Sequence, residues 1–378
     1  MKKLNKLFAI LVAMAMVLSL SVVSAFAAQT IEDGAGPTAA KKLIVPKDAV
    51  IPSTATTTIY TTLKTIDGVT TTDTSKNVEI TIPLSTLSGD HYVGKTTSGQ
   101  NDIYYYETGD LLGGKAFTGG TYIFDVKEKD YDIAADTETV VNHETSDPTT
   151  YTMKVYVGND GKVKKVTVYD GETKKDVIKE IPADDTATAE ANGVKFTNKW
   201  YQELKSNSFE TAPFGLKKVV ELTDGLGDQN TPFTMNVAVE LPAETGAASA
   251  TYVITDKDGN QKSTGTLDAT TTSVANLALA HNESIYFTSI PVGSKVTATE
   301  TDPRAEANGS YTKTYSVDVN GETLKADSHL NTTVTNKYKT VEDTGVLVSN
   351  LPYIVLALVA IGGMVAYVVV RRRNTDEA

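Results

Sequence analysis

Apolar and polar residues alternate with a period of two over much of the chain. Tyr151, Met153, Val155 and Val157 alternate with Thr152, Lys154 and Tyr156, and Asn159-Asp160-Gly161 follows as a turn. Val163, Val166 and Val168 then lead to Asp170-Gly171. A two-residue period broken by Asn, Asp and Gly predicts a hairpin or meander of half-buried strands. In the second half, Thr251-Tyr252-Val253-Ile254 meets a turn at Asp258-Gly259, and Tyr311 to Val319 meets another at Asn320-Gly321. Long stretches of 3.6-residue periodicity are missing. Regular short strands with Gly turns predict an all-β protein of two tandem Ig-like β-sandwich domains. Tyr201 to Pro213 is short and polar, which predicts the junction there.

The two ends read differently. Met1-Lys2-Lys3 is followed by an apolar run from Leu7 to Val23 and then by Ala25-Phe26-Ala27. A basic start, an apolar middle and a small-x-small exit predict a secretory signal peptide, residues 1–27. Near the other end, Leu351 to Val370 is uncharged and apolar apart from Pro352, Gly362 and Gly363, and Arg371-Arg372-Arg373 follows. That predicts a C-terminal transmembrane helix over 351–370 with its basic tail on the cytoplasmic side. The organisation expected is therefore a signal peptide (1–27), a first sandwich (28–205), a second sandwich (206–340) and a C-terminal signal (341–378).

Composition narrows the class. Thr is abundant, and Val and Tyr are well represented, as expected of strands. The formal net charge of −12 argues against nucleic acid as a partner. The chain has no cysteine, so it has no disulfide to hold a secreted fold together.

The chain repeats one phrase. Phe196-Thr197-Asn198-Lys199-Trp200 and Val334-Thr335-Asn336-Lys337-Tyr338 each close a β-rich stretch. Each stretch opens on a Lys pair, Lys41-Lys42-Leu43 and Lys217-Lys218-Val219, and carries in its middle a strand ending in Glu, Glu128 or Glu300. Alternation puts Lys41 on the face of Leu43 and Val45, and Lys218 on the face of Leu216 and Val220. Asn198 shares a face with Phe196, and Asn336 with Val334. These are the inward candidates, while Lys42 and Lys217 face solvent.

Lys, Glu and Asn in an apolar core have a chemistry of their own. Burial strips a lysine of its proton, leaving a nucleophilic amine, and lets a carboxylic acid keep one. Such an acid can polarise an Asn carboxamide. Attack of the amine on Cγ, with proton transfer through the acid, releases ammonia and leaves an isopeptide bond between side chains. Proximity in a folded core supplies the effective concentration.

With these residues in place, the chain resembles Gram-positive shaft pilins of the streptococcal T-antigen type. The likeness is carried by Lys41-Lys42-Leu43-Ile44-Val45, Gly120 to Glu128 and Phe196-Thr197-Asn198 in the first half. In the second it is carried by Glu283-Ser284-Ile285, Ile290-Pro291-Val292-Gly293, Thr299-Glu300 and Val334-Thr335-Asn336. The C-terminus resembles a sortase sorting signal, with Val341-Glu342-Asp343-Thr344-Gly345 in place of the usual Leu-Pro-x-Thr-Gly.

The resemblance implies that Lys41 bonds Asn198 with Glu128 assisting, and that Lys218 bonds Asn336 with Glu300 assisting. It implies sortase cleavage between Thr344 and Gly345 and joining of Thr344 to a lysine of the next subunit. Lys174, Lys175 and Lys179, ahead of an acidic loop from Ala183 to Glu190, are the candidate acceptors. The implied protein is a structural, non-enzymatic subunit of a sortase-assembled pilus. Its partners would be sortase, other pilin copies, cell-wall peptidoglycan and, before sorting, the membrane. It would need no cofactor and would sit at the cell surface. The alternative is a wall-anchored adhesin or pilus-base protein built from the same domains.

Other motifs carry less. Asp256-Lys257-Asp258-Gly259-Asn260 begins like a calcium loop but has Gln261 where the loop needs Gly. His91, His143, His281 and His329 lack metal-ligand spacing. Gly113-Gly114 and Gly119-Gly120 read as hairpin turns rather than a phosphate loop, and Trp200 reads as packing.

Overall fold

A computed structural model describes residues 34–47, 49–129, 136–247, 249–301, 305–306, 309–340 and 351–375. The expected signal peptide and the expected cleavage site at Thr344-Gly345 lie outside the described residues.

The protein is built from β-strands. Where residues alternate, the apolar set turns inward: in Thr150–Val157 the side chains of Tyr151, Met153, Val155 and Val157 are buried, and their polar neighbours are not. This strand pairs with Gly120–Glu128 and Val163–Asp170 in a seven-stranded sheet that also contains Thr56–Ile66 and Val78–Pro83. A four-stranded sheet in the second half holds Phe233–Glu240, Ser273–Leu279 and Lys295–Glu300. Opposite both lies one twelve-stranded sheet that runs through the molecule.

Two large apolar clusters fill the space between the layers. One is drawn from Ala39 to Trp200 and includes Leu43, Ile59, Phe124, Met153 and Phe196. The other is drawn from Leu204 to Tyr338 and includes Phe214, Met235, Phe287, Val296 and Val334. Each is a sandwich core of the expected kind.

The shared sheet is the feature that alternation did not reveal. The strand Lys195–Lys205 carries on through Tyr201, and its last residues pair antiparallel with Ser284–Pro291, Glu203 opposite Pro291 and Lys205 opposite Ser289. The polar stretch read as a junction thus starts inside a strand. At the same place Gly293 sits at φ 84°, and a Cβ on it would come within 2.5 Å of Pro46 Cβ. Only glycine allows the two halves to approach this closely.

Two other segments differ from expectation. Within the acidic loop, Thr186–Ala191 forms a helical turn capped by Asp185, whose side chain accepts from Thr188 N. The strand expected from Tyr311 to Val319 spans Gly309–Tyr315.

Among the described residues, two strand pairs are parallel. The opening strand Ala40–Pro46 runs beside the closing strand Lys195–Lys205. Phe214–Glu221 runs beside Leu330–Thr340 in the same way. The second closing strand therefore ends, at Thr340, on the side away from the first half. At the opposite end, Thr38 bridges Ile178, and Gly193 packs on Asp176, which places the 174–179 segment beside the start of the first opening strand.

The C-terminal residues Leu351–Thr375 form a helix whose side chains from Tyr353 to Val369 are exposed. At both its ends side chains fall outside the described set, and within the described residues alone no helix is long and apolar enough to cross a membrane.

Candidate functional site

The register of the two parallel pairs is the same. Lys41 lies opposite Phe196, and Asn198 is two residues further along. Lys218 lies opposite Val334, and Asn336 is two residues further along. A step of two keeps residues on one face, so each Lys and Asn are diagonal neighbours on the inner face of the sheet. All four side chains are fully buried.

The facing sheet supplies the carboxylate. In the first half Lys41 Nζ donates to Glu128 Oε1 at 2.5 Å. Thr57, on the neighbouring strand, donates its hydroxyl to the same oxygen. In the second half Lys218 Nζ donates to Glu300 Oε2 at 2.9 Å and to the main-chain oxygen of Val334 at 3.3 Å. Phe233 lies beneath that amine, its ring centroid 4.5 Å from Nζ. Burial lowers both lysines from the usual value to about 8, against the opposing pull of Glu128 on Lys41 and of Glu300 on Lys218. Asp147 adds a further upward pull on Lys41, whereas Lys313 pushes Lys218 down.

The carboxamides are held differently. Asn336 Nδ2 donates to Glu300 Oε1 at 2.6 Å, while Asn336 Oδ1 is buried and has no hydrogen-bond partner among the described residues. Asn198 Oδ1 accepts the main-chain N–H of Asp147 at 3.1 Å, while Asn198 Nδ2 and Glu128 Oε2 are buried and have no partner among the described residues. Buried polar atoms without partners are rare and costly. Here they fall on the atoms that a Lys–Asn condensation would rearrange.

The other lysine of each pair lies elsewhere. Lys42 forms an ion pair with Glu190 at 2.9 Å on the outer face, and Lys217 is half-buried there. Of the candidate acceptors, Lys174 and Lys179 are exposed, and Lys175 pairs with Asp170 at 3.1 Å.

Several residues at the two sites escaped the sequence reading. Thr57 shares a strand face with buried Ile59, a parity that alternation does record. Asp147 and Lys313 leave no such trace. Asp147 sits in a bend just after the strand Val140–Thr145, and Lys313 reaches its place, opposite Asn336 with Nζ on the main-chain oxygen of Glu300 at 2.9 Å, only through strand register.

Comparison with known proteins bears out the likeness to streptococcal pilins. A family model described as a domain of unknown function (DUF7601) matches residues 215–338. A pilin of Streptococcus pyogenes serotype M1 is 27% identical over 174 residues, covering 43% of this chain and 49% of the relative. The chain thus matches about half the length of that curated relative. Among solved structures, a mutant of the major pilin from Streptococcus pyogenes is 20% identical, covering 80% of this chain and 99% of the other, with a TM-score of 0.30. The major pilin T-13 of the same organism is 19% identical, covering 82% and 100%, with a TM-score of 0.28. The pilus-presented adhesin Cpa is 15% identical, covering 50% and 37%, with a TM-score of 0.23.

Proposed function

We propose that this chain is a structural subunit of a covalent surface pilus and that each half closes on itself through a Lys–Asn isopeptide bond. The observation that carries the reading is the buried Lys–Glu–Asn set built twice on one register, Lys41, Glu128 and Asn198 in the first half and Lys218, Glu300 and Asn336 in the second.

The chemistry follows from the contacts. Moving one proton from Nζ to the carboxylate leaves an amine and an acid, with no net charge in the core. The amine nitrogen adds to Asn Cγ, the carbonyl pair moves onto Oδ1, and collapse of the adduct breaks Cγ–Nδ2. Nδ2 leaves as ammonia, taking the proton that Nζ loses. Glu300 touches both Nζ and Nδ2, so it can relay that proton directly.

Each bond would link the first and last strands of its half, which are already neighbours. Pulling on the chain ends would then load a covalent bridge instead of the sheet hydrogen bonds. On the chain-entropy model, closing a loop of this length contributes about 5 kcal/mol. It does so without cysteine.

Polymerisation is the second part of the proposal. Sortase would cut at Thr344-Gly345 and join Thr344 to Lys174, Lys175 or Lys179 of another copy. Head-to-tail joining is supported by Thr340 ending away from the first half and by the 174–179 segment at the opposite end. The apolar run from 351 to 370 would hold the precursor in the membrane, since a helix rising about 1.5 Å per residue makes this run about 30 Å long. Peptidoglycan would receive the finished fibre. Expression with a pilus sortase tests this: a ladder that survives boiling in detergent and disappears when all three lysines are changed to Arg is expected. A single wall-anchored band with all three lysines intact would contradict polymerisation and leave an anchored adhesin.

A further inference from the structure

The segment that crosses the first closing strand at Asn198 has no counterpart at Asn336. In the first half, Val140–Thr145 pairs antiparallel with Lys195–Lys205, and the ladder stops where Lys199 lies opposite Thr145. The chain then bends through Ser146-Asp147-Pro148. Two bonds from the Asp147 carboxylate fix the bend: Oδ2 accepts Thr197 N at 2.7 Å, and Oδ1 accepts Thr149 N at 2.9 Å. The main-chain N–H of Asp147, released from the ladder, turns onto Asn198 Oδ1. In the second half, Gly309–Tyr315 pairs with the closing strand without interruption, from Thr340 to Val334 and past Asn336. A regular ladder commits its N–H groups to the neighbouring strand, and Asn336 Oδ1 receives none.

We propose that the Asp147 main-chain N–H is an oxyanion donor for the first bond, holding the negative charge that forms on Asn198 Oδ1 when Lys41 Nζ adds to Cγ, and that the Asp147 carboxylate is the clamp that aims it. This rests on the reading of the Lys41–Glu128–Asn198 set as bond-forming. The contact is 3.1 Å in the unreacted arrangement, within the range in which such donors act, and loss of one donor of this kind slows acyl transfer by about 100-fold or more. The step needs no external reactant. Lys41 Nζ–Cγ forms, Cγ–Nδ2 breaks, and the proton lost by Nζ leaves on ammonia by way of Glu128.

The test is a time course on the full chain, made by cell-free synthesis in detergent and quenched in acid denaturant. Mass spectrometry of digests follows ammonia loss at Asn198 and Asn336 separately, so the second site is an internal control for folding. The pH is held at about 7, below the value of about 8 at which the Lys41–Glu128 pair loses its shared proton, so that titration of the pair does not limit the rate. Asp147→Ala releases the clamp, whereas Asp147→Asn keeps one of the two acceptor oxygens and puts an NH2 donor in place of the other. A third variant replaces the residue at 147 with the matching α-hydroxy acid, which deletes the N–H and keeps the side chain.

The expected result is slowing of the Lys41–Asn198 bond on the order of 100-fold in the Ala and hydroxy-acid variants. Asp147→Asn, which keeps half of the clamp, is slowed less than the Ala variant, and Lys218–Asn336 is unchanged in all three. An unchanged first-site rate in the hydroxy-acid variant overturns the proposal, as does equal slowing of both sites. If the unmodified chain loses no ammonia from either Asn, the bond-forming reading itself fails and this inference with it.

Discussion

The two halves place the same three residues on the same strand register and then support them in different ways. At Lys218 the carboxylate touches both Nζ and Asn336 Nδ2, and among the described residues Asn336 Oδ1 has no partner. At Lys41 the carboxylate touches Nζ and Thr57, Asn198 Oδ1 is held by Asp147, and among the described residues Asn198 Nδ2 has no partner. For the proposed bond, the second site's contacts favour proton relay and the first site's favour carbonyl polarisation. The cause is the neighbour on the far side of the closing strand: a full-length strand in the second half, a strand that breaks off at Thr145 in the first. The lesson is that the register of the parallel pair fixes where Lys and Asn meet, and that the other neighbour decides what contacts them.

The largest test of this comparison removes the carboxylate that both sites share. Glu128→Ala and Glu300→Ala should each abolish the bond in their own half only, leaving one ammonia unreleased. Losing the cross-link costs that half about 5 kcal/mol. A buried lysine left without its partner adds about 3–5 kcal/mol. Calorimetry should show the affected half melting first, with the other unmoved.

Gly293→Ala attacks the contact between the halves. Its Cβ would meet Pro46 at 2.5 Å on a backbone with φ 84°, a clash that should cost about 1–3 kcal/mol. Both bonds should still form, because neither triad touches Gly293. Faster proteolysis near residue 205, with both ammonia losses retained, is the expected signature.

A finer test uses pH. The reaction needs the one proton that Nζ and the carboxylate share, and each lysine loses it at about 8, so both bonds should form at a steady rate below that value and more slowly as pH rises through it. In the unreacted protein each lysine gives up its proton at lower pH than in the unfolded chain. The unfolded chain therefore binds more protons between about 8 and 10.5, and stability before bond formation should rise with pH across that window. The neighbours push in opposite senses. Lys313→Met removes a cation that holds Lys218 down, so the second-site profile should move to higher pH. Asp147→Asn removes an anion that holds Lys41 up, so the first-site profile should move to lower pH. Site-resolved rates against pH check both directions.

The smallest effect belongs to Lys42→Ala. Its pair with Glu190 is partly exposed, so the cost should stay below about 1 kcal/mol, and the Lys41–Asn198 bond should form as before. Loss of that bond in this variant would mean that the inward and outward lysines had been interchanged.

Much of this arrangement was legible in the sequence because strands write their inner face every second residue. That rule separated Lys41 from Lys42 and put Asn198 beside Phe196. It could not supply Asp147, which lies between two strands and contacts Asn198 through its main chain. Nor could it supply Lys313, whose place depends on which strand lies alongside. The continuous sheet was hidden for a related reason: from Tyr201 to Lys205 only Leu204 is buried, so the stretch has the composition of a linker while its backbone completes a ladder. The Ala183–Glu190 segment looked like an acidic loop because its helix is a single capped turn, too short to show a period.

The central claim is that both halves are covalently closed, and the most direct measurement is the mass of the folded, purified chain under denaturing conditions. The account predicts a deficit of two ammonia molecules, with digests yielding peptides joined at Lys41–Asn198 and at Lys218–Asn336. A mass equal to that of the unmodified sequence, with all four side chains recovered free, would contradict it.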